Sequence, residues 1–133
     1  MAESLHRATL RRRERILKAG DFKAVFGARA RASDGRLVAY ALRNNKGVTR
    51  LGVSVGKRCG GSVARTRVRR LLREAFRRAR GQFPGGYDVV LVPIEGPYAL
   101  ADLDASVRAL VPEAIRRFER RKTAEGLPGG SPR

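Results

Sequence analysis

The chain has 133 residues, of which 30 are Lys or Arg and 12 are Asp or Glu, giving a formal charge of +18 at neutral pH. That length suits one ordinary domain with a modest core, and so large an imbalance repels itself in the folded state, which points to nucleic acid or an anionic surface as partner. A single Cys excludes an internal disulfide, a single His beside it excludes a zinc site on ligand count, and no run reaches the roughly 18 apolar residues that span a bilayer.

Residues 1–15, MAESLHRATLRRRER, are polar and basic and contain no apolar signal region. They are expected to be a largely disordered tail of a soluble, cytoplasmic protein with no membrane partner, with Leu10 and Ile16 able to dock. The folded domain is then expected over residues 16–121. Asp21 is placed to cap a short helix with Phe22, Val25 and Phe26 on one side. An aromatic pair at helical spacing is usually packing, but the edge of this pair could also line a groove for a base or ribose. Spacing leaves both readings open.

Ala28 to Ser33 reads as a short edge strand, and Asp34-Gly35 as a turn before RLVAYALR, Arg36 to Arg43. Alternation puts Leu37, Ala39 and Ala41 on one face and Val38, Tyr40 and Leu42 on the other. After the turn at Asn44, Asn45 and Gly47, the run Thr49 to Gly56 puts Leu51, Val53 and Val55 on one face, opposite the small residues Gly52 and Ser54. An antiparallel meander is expected, with Tyr40 flooring a shallow trough that can accept an extended single strand.

The loop Gly56 to Gly61 fails the phosphate-loop pattern GxxxxGK[ST], because Leu51 and Arg58 stand where Gly and Ser or Thr are required. Its glycines free the turn into the next helix, for which Ser62 is the expected cap. Cys59 reads as an unremarkable thiol, since the only His is His6.

Ser62 to Arg80, SVARTRVRRLLREAFRRAR, dominates the chain. At about 100° per residue, Val68, Leu71, Leu72, Ala75, Phe76 and Ala79 share an arc while six arginines spread round the rest. Charge runs on helices are usually solvated faces laced with ion pairs, but that requires acids, and Glu74 is the only one here. Arginines at i,i+3 and i,i+4 repel by a few tenths of a kcal/mol per pair, so the face calls for an anionic partner. Arg in place of Lys suits phosphate, because its planar fork makes two hydrogen bonds.

Gly81, Pro84, Gly85 and Gly86 break the chain before Tyr87 to Ile94, YDVVLVPI, which is apolar on both faces and reads as a central buried strand. A last helix is expected from Asp102 or Asp104 to about Arg121, with a kink or break at Pro112. The tail beyond it, residues 122–133, is Gly-, Pro- and Ser-rich and expected to be disordered. The order α-β-β-β-α-β-α gives an α+β fold: a single two-layer domain, with helices packed on an about four-stranded, mostly antiparallel sheet.

The run from Gly52 to Phe76, GVSVGKRCGGSVARTRVRRLLREAF, resembles the signature of the bacterial ribonuclease P protein subunit, where a strand, a basic loop and an arginine-rich helix follow one another. The likeness extends from about Leu17 to Phe118. It implies that Arg65, Thr66, Arg67, Arg69, Arg70 and Arg73 contact a catalytic RNA. It also implies that Phe22, Phe26 and Tyr40, with Lys57 and Arg58 nearby, line a cleft for the 5′ leader of precursor tRNA. Thr66 stands where the family usually has Asn, which removes a paired donor and acceptor.

The resemblance further implies partnership with ribonuclease P RNA and precursor tRNA, Mg²⁺ held mainly by the RNA, and no small-molecule cofactor. The chain's own residues agree that it is not catalytic alone. One His cannot supply both acid and base, and its carboxylates are scattered. The competing expectation is a small structural RNA-binding protein of the ribosomal type; a basic-helix DNA binder lacks the heptads it would need.

Overall fold

The computed structural model describes residues 10–126, with side chains to residue 123, and its element order follows the sequence. Helix α1 is Ala19–Ala28, strands β1, β2 and β3 are Arg31–Ser33, Leu37–Arg43 and Arg50–Val53, helix α2 is Ser62–Ala79, strand β4 is Tyr87–Pro93 and helix α3 is Leu100–Gly126. Single helical turns at Arg12–Glu14, Lys57–Cys59 and Arg80–Gln82 fill the connections. Residues 1–9 and 127–133, assigned to tails from the sequence, lie outside the described residues.

The four strands form one sheet in the order β1-β2-β4-β3. β1 with β2 and β2 with β4 are antiparallel, whereas β3 runs parallel to β4. The expected meander is therefore wrong at its third strand. β4, apolar on both faces and buried along almost its whole length, takes the centre and separates β2 from β3. A parallel neighbour requires a crossover, and α2 supplies it.

Alternation along the strands sorts the core into two. On one face Leu37, Ala39, Ala41, Leu51, Val89 and Leu91 pack against the stripe Val68, Leu72, Ala75, Phe76 and Ala79 of α2 and against Leu103, Val107, Val111 and Ala114 of α3. On the other, α1 lays Phe22, Val25 and Phe26 over Tyr40, Leu42, Val90 and Val92. α1 thus adds a partial third layer. Fully burying a side chain such as Phe76 or Leu72 contributes roughly 1.5–3 kcal/mol, and these clusters hold the helices in place.

Helix starts differ from expectation because the first i→i−4 bonds form earlier. The Phe22 amide donates to the Lys18 carbonyl, so Lys18, not Asp21, occupies the cap position of α1. The Arg65 amide donates to the Gly61 carbonyl, making Gly61 the cap of α2 in place of Ser62. Likewise the Leu103 amide donates to the Ala99 carbonyl, so α3 begins at Leu100, ahead of Asp102 and Asp104.

α3 then runs without a break through Pro112 to Gly126, past the expected end at Arg121. A helix-interior proline costs about 3 kcal/mol. Burial of Leu103, Val107, Leu110, Val111, Ala114 and Ile115 on either side of it offsets that cost.

Order also begins before residue 16. Leu10 is buried in the main core, the Arg15 backbone bridges to Leu51, and the Ile16 amide donates to the Leu51 carbonyl at 2.8 Å. Residues 15 and 16 therefore lie along the outer edge of β3.

Candidate nucleic-acid interface

The two long helices carry many arginines but treat them differently. On α3, Glu113 holds Arg116 at 2.8 Å, Arg117 at 2.9 Å and Arg120 at 3.4 Å, and Asp104 holds Arg108 at 3.1 Å. Hydrogen bonds from Arg116 and then Arg117 pull the Glu113 carboxyl down to about 2. Glu119 meanwhile engages Arg43 and receives the Tyr87 hydroxyl.

On α2 the only carboxylate, Glu74, is taken by Arg77 at 2.7 Å, and its carboxyl is lowered chiefly by that bond. Among the described residues, Arg65, Arg67, Arg69, Arg70, Arg73 and Arg78 form no ion pair with any carboxylate. The helix is thus a row of uncompensated guanidiniums on a rigid support, while most arginines of α3 are tied to carboxylates of the same helix.

Within α2 the residues singled out by sequence divide. Arg65, Arg69 and Arg73 recur at i, i+4 and are half-buried on one flank, whereas Thr66, Arg67 and Arg70 are exposed. The Arg65 Nε is buried without a hydrogen-bond partner. Burial, and then the nearby Arg15 and Arg69 charges, push the Arg73 guanidinium below its ordinary value.

The aromatic trio does come together. The Phe26 and Tyr40 rings meet edge to face with centroids 4.9 Å apart, and Phe22 lies over β3. Gly52 makes that approach possible, because a Cβ there would sit 2.6 Å from Phe22 Cε1 and 3.3 Å from Ile16 Cβ. The sequence marked Gly52 only as small; its role as a notch for Phe22 requires the tertiary structure.

A second feature that sequence reasoning missed fixes α1 to the sheet. Buried Asp88 accepts from Arg50 Nε at 2.8 Å, from Arg50 Nη2 at 2.6 Å and from Asn44 Nδ2 at 2.7 Å. The same Arg50 reaches Asp21 of α1 at 3.4 Å. The asparagine-rich turn and the lone Asp in an apolar strand were the available signals.

From the Phe26–Tyr40 contact the same sheet face continues along Val38 and Val92 toward Ile94, whose carbonyl accepts from Arg58 Nη1 at 3.3 Å. Lys57 and Arg58 are exposed on the single turn before α2. The neighbouring Cys59 thiol lies 3.8 Å from the Tyr98 hydroxyl, and burial, then Cys59, push Tyr98 up to about 12. Phe22, Phe26 and Tyr40 thus cluster between α1 and the sheet, while Lys57 and Arg58 stand on the turn before α2, where Arg58 reaches Ile94 just beyond β4.

Among the described residues no group of three or more His, Cys, Asp or Glu is placed to hold a metal ion. No helix among them is long and apolar enough to cross a membrane.

Comparison with known proteins bears on this arrangement directly. A family model described as Ribonuclease P matches residues 10–115. The chain belongs to the ribonuclease P protein family. It is 36% identical over 104 residues to the ribonuclease P protein component of Clostridium kluyveri, covering 75% of this chain and 93% of the relative. It is 38% identical over 100 residues to that of a Thermoanaerobacter species, covering 73% and 85%.

Solved structures share the fold. The RNase P protein of Staphylococcus aureus superposes with a TM-score of 0.67 at 23% identity, over 79% of this chain and 97% of that one. The RNase P protein of Thermotoga maritima gives 0.62 at 23% identity, over 80% and 96%. As a ribonuclease P protein the chain serves tRNA processing as the protein component of an endoribonuclease, in association with an RNA subunit.

Proposed function

We propose that the chain binds the catalytic RNA through α2 and the 5′ leader of precursor tRNA through the aromatic face, promoting hydrolysis of the phosphodiester bond that frees the mature tRNA 5′ end. The observation that carries this reading is the set of unpaired arginines on α2 beside an α3 whose Arg108, Arg116, Arg117 and Arg120 are held by its own carboxylates. Arg65, Arg67, Arg69, Arg70 and Arg73, with the Thr66 hydroxyl, engage phosphates of the RNA subunit. Phe22, Phe26 and Tyr40 offer ring edges and faces to unstacked leader bases, which is sequence-tolerant because every base has a π-face. Lys57 and Arg58 neutralise the leader backbone as it passes toward α2.

The chain's part is binding and orientation. Mg²⁺ belongs with the RNA in this scheme, and what the protein supplies is neutralised phosphate and a positioned leader. The decisive experiment is reconstitution with a ribonuclease P RNA and precursor tRNA at low Mg²⁺. Stimulated leader removal is expected; no effect would favour a purely structural RNA-binding role, and cleavage by the chain without RNA would overturn the division of labour.

A further inference from the structure

Residues 10–18 bring basic side chains to the sheet edge next to α2. Leu10 anchors the segment in the core, Glu14 forms an ion pair with Arg80 near the end of α2, and the Arg15 backbone is pinned to Leu51. Arg15 is thereby held against the half-buried arginine flank of α2. Its Nε is buried and has no hydrogen-bond partner, as is the Nε of Arg65 on that flank.

Arg15 also forms a wall of a cleft of about 470 Å³ shared with Arg12, Arg13, Lys18, Lys46 and Arg50. Asp21 is the only acid there, and Arg50 reaches it at 3.4 Å. Folding has thus driven cations together at a seam where Arg50 is bound by Asp21 and Asp88 but the buried Arg15 Nε is left unused. An unmade buried hydrogen bond is destabilising, and like charges add to that. A native fold keeps such an arrangement when a ligand completes it.

We infer that this seam is a phosphate-binding site centred on Arg15, which takes phosphodiester groups of an RNA strand and extends the cationic surface of α2 round the edge of β3 toward α1. The ligand is defined by its chemistry: a tetrahedral oxyanion can accept from several guanidinium forks at once, where a carboxylate has only two acceptor oxygens. The effect of Arg15 and Arg69 on Arg73 agrees, since bound phosphate would relieve the repulsion that now opposes the Arg73 charge. This deepens the RNA-binding role proposed above and rests on it only for the identity of the strand.

Two measurements on the full chain test it. In titrations against ribonuclease P RNA, Arg15→Ala should weaken binding about tenfold and lower the salt slope by roughly one, the signature of one lost phosphate contact, with Arg15→Lys recovering part of the loss. Lys46→Ala, in the same cleft and exposed in a turn, should give a smaller loss of the same kind without affecting folding.

Separately, inorganic phosphate at constant ionic strength should raise the melting temperature of the wild type, and of Arg15→Ala by much less. Wild-type affinity and slope in Arg15→Ala, or equal stabilisation of both proteins by phosphate, would overturn the site. If the wild type failed to hold the RNA while phosphate still stabilised it through Arg15, the RNA reading would fall and the anion site would stand.

Discussion

Salt dependence tests the central contrast between the two arginine-rich helices. Six arginines of α2 lack a carboxylate partner. If each neutralises one RNA phosphate, counterion release gives a slope near −5 in log K against log salt, and affinity falls on the order of 10³-fold between about 50 and 200 mM salt. Replacing Arg67 and Arg70 by Ala removes two exposed members of this set. The slope should then flatten by about two, so that the same change in salt costs only on the order of 10²-fold.

The control is Arg116→Ala with Arg117→Ala. It deletes the same number of charges from α3, where both arginines are ion-paired to Glu113. Binding titrations of all three proteins with ribonuclease P RNA at several salt concentrations should show the control parallel to the wild type. If the α3 pair flattens the slope as much as the α2 pair, the RNA responds to overall charge and the distinction between paired and unpaired arginines has no functional meaning.

Four further outcomes follow from the same geometry. Phe26→Ala, which removes the edge-to-face contact with Tyr40, should reduce the preference for leader-bearing over mature tRNA in competition binding while leaving affinity for the RNA subunit near wild type. Gly52→Ala should displace Phe22 and cost about 1–3 kcal/mol in denaturant melts, with the same loss of leader preference; unchanged stability would mean that the ring has room to move. Asp88→Ala leaves the largely buried Arg50 without its bidentate partner and should cost roughly 3–5 kcal/mol, read as a lowered unfolding midpoint. For Glu113, whose folded value of about 2 lies below the ordinary 4.5, stabilisation is present above the unfolded value and is lost as pH falls from there toward 2. The stability difference between wild type and Glu113→Gln should therefore disappear across that window in pH-dependent melts.

What could be read from the chain alone was what local pattern encodes. The two-faced apolar run of β4 announced a central strand, and the α2 stripe announced both its packing face and its basic remainder. The partner of β3 was hidden, because choosing β4 over β2 depends on a crossover through a whole helix and leaves no local trace. Residues 10–15 read as tail because of their run of arginines, although Leu10 and Ile16, the two side chains that anchor the segment, were legible as docking residues. Pro112 misled for the opposite reason: a strong local signal yielded to tertiary burial. The grouping of Phe22, Phe26 and Tyr40 was legible as a family likeness, but the glycine notch and the Asp88–Arg50 tie that shape it arise only when distant segments meet.

The way the sheet ends at its two margins bears on how the protein survives before it meets RNA. An open strand margin is a template on which further chains can add and grow. Here residues 15 and 16 seal one margin, and the other is a strand of three residues whose Arg31 carbonyl is covered by the Arg117 guanidinium. Freshly made chains waiting for their nucleic acid therefore present no long template for one another, and should stay dispersed even at salt concentrations that mask their mutual charge repulsion.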